Sequence, residues 1–206
     1  MLTFEELYRR YPALSVCRES IESTFGLLKN CFTNGGKVLL CGNGGSAADA
    51  EHIVGELMKG FLLPRALPDS EKVLLNAIAG KDIASKMQGA LPVISLSSHT
   101  ALATAVMNDN CAQMVYAQQV YGLGNKDDVL WGISTSGNSE NIVNAFHVAR
   151  FRRMKTILLT GQSGGKLSSF ADIAIHVPAH CVTEIQEYHL PIYHALCAAL
   201  EQNFFN

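Results

Sequence analysis

The chain has 206 residues, 48% of them apolar and 17% charged, which suits one packed domain and excludes a disordered segment. Its 16 Lys and Arg stand against 18 Asp and Glu, a formal charge of -2 that argues against a nucleic-acid partner, because such proteins carry a basic excess or stripe. No apolar run approaches the roughly 20 residues of a membrane helix, and the opening Met1-Leu2-Thr3-Phe4-Glu5-Glu6 is acidic rather than a secretory leader, so the expected compartment is the cytoplasm.

Helix is expected from about Thr3 to Asn34. Leu7, Tyr8 and Tyr11, then Ile21, Phe25, Leu28 and Cys31, recur three or four apart, with a break at Pro12 and Ser15 and a stop at Asn34-Gly35-Gly36. Five short apolar runs follow: Lys37–Gly42, Leu91–Leu96, Val129–Ser134, Thr156–Gly161 and Ile173–Pro178. They lack clean alternation, as strands buried on both faces do. Helical stripes separate them, including Ile142, Ala145, Phe146 and Ala149, and later Ile185, His189, Ile192, Leu196 and Leu200. Strand and helix in turn imply a parallel sheet covered on both faces. Residues 61–88 interrupt the pattern with Pro64, Pro68 and Gly80, and with a short helix at Glu71–Leu75; a segment this long is expected to be a lid, an interface element or a helical insert. The basic run Arg150-Phe151-Arg152-Arg153 reads as a solvated helix end. Cys17, Cys31, Cys41, Cys111, Cys181 and Cys197 include no CxxC pair and read as reduced, mostly buried thiols.

Two strand-to-helix loops carry the chemistry. Gly42-Asn43-Gly44-Gly45-Ser46 follows the first strand; glycines allow close backbone approach, a helix N-terminus attracts anions, and Ser46 is positioned to cap the helix or to reach a ligand. Ser134-Thr135-Ser136-Gly137-Asn138-Ser139 follows the third strand. One cap needs one hydroxyl, and four hydroxyls in six residues suit a phosphate held without basic side chains. A third turn, Thr160–Gly165, is explained by turn chemistry alone. Ligands of open α/β sheets sit at the carboxyl ends of the strands, where both loops lie, so a small phosphorylated ligand is expected between them.

Four ionisable or amide residues accompany the loops. His52 and Glu56 share one helix face, and Gln186 and His194 lie on the last helix, with His189 between them. A Glu moves a proton between adjacent carbons and a His moves one between oxygens, as aldose–ketose isomerisation through an enediol requires. The same four residues, His52, Glu56, Gln186 and His194, also suit a divalent metal, and the residues alone leave both readings open.

Cys41-Gly42-Asn43-Gly44-Gly45-Ser46 with Asp49, His52 and Glu56, the Ser134–Ser139 loop, and Gln186 with His194 resemble the SIS-domain phosphoheptose isomerases over nearly the whole chain. The resemblance implies an α/β fold, a three-layer sandwich with a five-stranded parallel sheet flanked by helices. It implies a single SIS domain over residues 1–206, with an N-terminal helical oligomerisation segment at 1–34 and an insert or lid at 61–88. It implies a homotetramer with active sites between subunits, and conversion of sedoheptulose 7-phosphate to D-glycero-D-manno-heptose 7-phosphate. By the same resemblance Glu56 is the catalytic base and His194 the acid. His52, Glu56, Gln186 and His194 are the zinc positions. Asn43, Gly44, Ser46, Asn108, Asp109, Ser134, Thr135, Ser136, Ser139 and Gln186 contact substrate.

The chain departs from the family pattern at four places. Gly60, beside Lys59, stands where an Arg is usual, and Lys59 or Arg65 is the expected replacement. Thr183 replaces an Asp, Ser98-His99 replaces a Ser/Thr-Asp turn, and the 61–88 segment is longer. The departures favour, as rivals, an isomerase of another sugar phosphate ahead of a sugar-phosphate sensor or a protein-binding SIS adaptor.

Overall fold

The computed structural model describes residues 4–206; the start of the first helix at Thr3 and the opening Met1-Leu2 lie outside the described residues. Five strands, β1 (Val38–Gly42), β2 (Val93–Ser95), β3 (Val129–Ser134), β4 (Lys155–Thr160) and β5 (Ile173–His176), pair in parallel in the order β2-β1-β3-β4-β5. The helices are α1 (Phe4–Arg10), α2 (Arg18–Thr33), α3 (Gly45–Met58), α4 (Asp69–Ala79), α5 (Thr100–Asp109), α6 (Val115–Leu123), α7 (Glu140–Phe151) and α8 (Val182–Phe205). A 3-10 turn from Pro12 to Cys17 is the break expected at Pro12.

Successive strand residues face opposite layers, and the core divides accordingly. Val38 and Leu40 join Trp131, Ile157 and Leu159 beneath α1, α2, α3 and α8, while Leu39 and Cys41 join Leu130 and Leu158 beneath α6 and α7. Burial of each such Leu or Ile contributes about 1.5–3 kcal/mol over leaving it exposed, so strands wetted on neither face need no alternation. This is the three-layer α/β sandwich. The N-terminal helices place Leu7, Leu14, Ile21 and Leu28 in this core, fully buried within one chain.

Residues 61–88 form a helix-bearing excursion between α3 and β2 that is tied at its base. Ala66 bridges Gln88, Gly89 N–H donates to the Arg65 carbonyl (2.7 Å), and Gly60 N–H donates to Gln88 Oε1 (3.0 Å). Its helix, α4, is longer than the expected Glu71–Leu75, and none of its residues is buried. Cys17, Cys31, Cys41 and Cys197 are buried, as expected, but Cys181 is exposed and Cys111 half-buried; all six are free thiols. Among the described residues no helix is long and apolar enough to cross a membrane.

Candidate active site

The strand order reverses between β1 and β3, and their carboxyl ends open the crevice where α/β sheets bind ligands. Loop 42–46 leaves β1 and loop 134–139 leaves β3. Asn43 and Asn141 exchange side-chain amide hydrogen bonds of 3.0 and 2.9 Å across the gap. The Tyr116 hydroxyl donates to the Gly42 carbonyl from below. A cleft of about 310 Å³ lies beside this bridge, lined by Asn43, Gln113, Ser139 and Asn141 among others. That is the lower end of the range for small-molecule sites.

The first loop corrects one expectation. Ser46 does not cap α3: the cap residue is Gly44, with φ +56°, and no side chain caps it. The Ser46 N–H donates to the Asn43 carbonyl, and those of Ala47 and Ala48 to the Gly44 carbonyl.

In the second loop the hydroxyls are not used as caps either. Ser139 begins α7 without a side-chain cap bond. Ser134 Oγ accepts from Gly137 N–H and lies 3.4 Å from Ser139 Oγ, and Ser136 Oγ accepts from Asn138 N–H. The hydroxyl-bearing residues run from buried Ser134 through half-buried Thr135 to exposed Ser136. The third turn, expected to be structural, buttresses this loop. Gly137 has φ +64°, and a Cβ on it would collide with the Gly164 carbonyl oxygen. Leu167 N–H donates to the Gly137 carbonyl and Lys166 N–H to Asn138 Oδ1.

The ionisable residues meet farther along the same helix. α3 and α8 run side by side in the same direction: Gln186 reaches Gly45, Tyr193 reaches Asp49, and His194 reaches His52. His52 Nε2 lies 3.2 Å from Glu56 Oε1 and 3.5 Å from His194 Nε2. The Tyr193 hydroxyl donates to Asp49 Oδ1 (3.2 Å) and lies 3.0 Å from His52 Nδ1. A hydroxyl whose proton goes to Asp49 accepts from His52 Nδ1–H, which turns the other ring nitrogen, Nε2, towards Glu56 and His194. Phe61 covers His194, with ring centroids 5.5 Å apart. Glu56 Oε2 is buried without a hydrogen-bond partner, its nearest cation being Lys59 Nζ at 3.8 Å.

Burial lowers the His194 pKa, His52 adds to this, and Glu56 opposes it. The Asp49 pKa is raised by burial against the Tyr193 hydrogen bond and the nearby His52. His189 is fully buried, and desolvation pushes its pKa down to about 4. The Thr160 backbone pulls the other way without giving either ring nitrogen a hydrogen bond of normal geometry.

The structure thus gathers His52, Glu56 and His194, but not Gln186. Its amide packs on Gly45, where a Cβ would stand 2.6 Å from Nε2, and so it joins the first loop. The donor chemistry of the three gathered side chains suits zinc: two imidazole nitrogens, one carboxylate, and an outer hydrogen bond fixing the His52 tautomer. Their spacing does not form a cage, because they touch one another. Among the described residues no group of three or more His, Cys, Asp or Glu stands ready to hold a metal ion.

Asn108 and Asp109 hydrogen-bond each other (2.7 Å) at the exposed end of α5, which packs on α6 and the 3-10 turn before it. Arg65 cannot replace the missing family Arg at a substrate. It is buried, and its guanidinium is committed to Glu201 Oε1 (2.8 Å) and to the carbonyls of Leu57 (2.6 Å) and Glu56 (2.8 Å). Lys59 remains largely exposed, donating to the Gly60 carbonyl. Sequence reasoning missed Tyr193, Phe61, Asn141 and Glu201. Only Tyr193, next to His194, carried a signal, since adjacent residues of a helix reach neighbouring faces.

A sequence profile of the SIS domain matches residues 13–161. A phosphoheptose isomerase of Helicobacter pylori is 39% identical over 192 residues, covering 93% of this chain and 88% of that protein. One from a Nitratiruptor species is 38% identical over 207 residues, covering 98% and 92%. The solved phosphoheptose isomerase of Neisseria gonorrhoeae superposes with a TM-score of 0.76 at 33% identity, covering 97% of this chain and 95% of that one. That of Francisella tularensis gives 0.75 at 33%, covering 98% and 100%.

Proposed function

The chain belongs to the SIS-domain family of phosphoheptose isomerases, and from that premise we propose that it isomerises sedoheptulose 7-phosphate to D-glycero-D-manno-heptose 7-phosphate. The observation that carries this reading is the contact of His52, Glu56 and His194, with one Glu56 oxygen buried without a hydrogen bond. Glu56 takes a proton from C1 of the ketose while His194 protonates the C2 carbonyl oxygen, giving an enediol. Glu56 then returns its proton to C2 as His194 removes the proton from O1, leaving an aldehyde. A neutral imidazole both donates and accepts, and the lowered pKa of His194 favours that form at neutral pH.

Ser134, Thr135, Ser136 and Ser139 hold the phosphate, and Asn43, Gly44, Ser46 and Gln186 hold the sugar. Asn108 and Asp109 contact it when the site is complete. Lys59 lies nearest to where the family Arg would act.

Zinc is proposed at His52, Glu56 and His194, with Gln186 as the outlying fourth position; when bound it polarises the sugar carbonyl. Elemental analysis of the purified protein and its loss in His52→Ala test this. The proposed assembly is a homotetramer of single 206-residue SIS domains in the cytoplasm, with residues 1–34 in the oligomer contact and sites shared between subunits. The exposed Val16 at the break between α1 and α2 supports that contact. Turnover of sedoheptulose 7-phosphate tests the function. The departures at Gly60, Thr183 and His99 favour, as the second reading, an isomerase of another sugar phosphate, which the same assay distinguishes by substrate.

A further inference from the structure

Beneath Glu56 and His194 lies a buried ion pair that the mechanism does not use. The Glu201 carboxylate, on the last turns of α8, accepts four hydrogen bonds: from the N–H groups of Phe61 (2.7 Å), Leu62 (2.7 Å) and Leu63 (3.1 Å), and from Arg65 Nε (2.8 Å). Burial works to raise its pKa, but these donors hold it below the ordinary carboxylate value. Arg65 spends its other nitrogens on the carbonyls of Glu56 and Leu57, in the last turn of α3, where carbonyls have no partner within the helix. Its guanidinium also stacks on Phe205. One pair thus grips the backbone of Glu56 itself and the turn that lays Phe61 over His194.

We propose that Arg65 and Glu201 are positioning residues for the reaction, setting the Glu56 carboxylate and the His194 ring relative to each other. The inference rests on the isomerase reading. A helix end frays, and a base at a frayed end is not held at the geometry proton transfer needs. The guanidinium closes the last turn of α3 from outside. Three consecutive amides drawn to one carboxylate fix the direction in which the chain leaves it. Neither residue touches the phosphate loop, so the pair acts on turnover rather than on substrate capture.

The test compares wild-type protein with Arg65→Met/Glu201→Leu, Arg65→Lys and Phe61→Leu in steady-state assays on sedoheptulose 7-phosphate, alongside thermal melts and amide exchange. The double variant removes both charges together and so leaves no buried charge unpaired, while the amides of Phe61, Leu62 and Leu63 lose their acceptor, which is why melts accompany the assays. Its expected kcat is at least ten-fold below wild type with KM within three-fold, and exchange at Leu62 and Leu63 rises. Arg65→Lys, which keeps the charge but not the fork, is expected to fall between the two. Phe61→Leu, on a half-buried ring, folds regardless and is expected to lose several-fold in kcat. Wild-type kcat in the double variant, or in Phe61→Leu where the double variant does not fold, overturns the inference. A matched loss in kcat and melting temperature across all three, with exchange raised throughout the chain, also overturns it in favour of a structural role. A wild-type protein without turnover overturns the isomerase reading first, and the positioning role with it.

Discussion

Glu56 and His194 lie on different helices, α3 and α8, yet the fold brings both to a common neighbour, His52. Glu56→Gln keeps the shape and removes the base, so kcat is expected to fall by about 10²–10⁴ while sugar-phosphate binding persists, as turnover and calorimetry read together will show. Tyr193→Phe leaves His52 Nδ1 without its acceptor and half-buried Asp49 without its donor. Activity is expected to drop roughly 10–100-fold, as outer-shell losses do, with about 1–3 kcal/mol of stability. His189 governs a pH effect. Its folded pKa of about 4 lies below the ordinary value of 6.5, so the unfolded chain binds the proton more tightly between those values. Stability from this group is therefore complete above about pH 6.5 and is lost as the pH falls towards 4, by up to roughly 3 kcal/mol. Urea melts at pH 7.5 and 5.0 should show that loss in wild type and a smaller one in His189→Leu. The identities of His52, Glu56 and His194 were legible from spacing and resemblance. Tyr193 and Glu201 were not, because their partners lie 144 and 136 residues away and meet only through the registry of α8 on α3 and the insert.

Loops and helices show the same division between local and distant information. All five strands fell within a residue or two of their apolar runs, because burial on both faces writes itself into composition. The helix within 61–88 runs beyond the expected Glu71–Leu75 at both ends. Pro68 and Gly80 look like loop punctuation, but here Pro68 precedes the first turn of α4, and Gly80, at φ +66°, ends it. The apolar residues between them, Val73, Leu74 and Ile78, are exposed, so no buried stripe announces the helix. The buttressing of loop 134–139 by residues 164–167 was also invisible, since turn chemistry accounts for glycines without saying what they pack on. Gly137→Ala places a Cβ into the Gly164 carbonyl at a left-handed φ. It is expected to cost about 1–3 kcal/mol in denaturant melts and to raise KM more than it lowers kcat, because the phosphate loop moves and the proton-transfer cluster does not.

Across the molecule, the sheet order sets where chemistry happens. The reversal between β1 and β3 opens the crevice, α3 leads from it, and α8 carries the partner residues back alongside. The single chain leaves Val16, Val73, Leu74 and Ile78 largely exposed, and light scattering is expected to give the mass of four chains. A monomer by that measurement would remove the proposed sharing of sites between subunits without touching the His52–Glu56–His194 contact. One assay reaches the proposed chemistry itself: conversion of sedoheptulose 7-phosphate by the purified protein, with and without added zinc, beside Glu56→Gln. Turnover by wild type and its loss in the folded variant is the predicted result; no conversion by wild type under either condition, or undiminished conversion by Glu56→Gln, would contradict it.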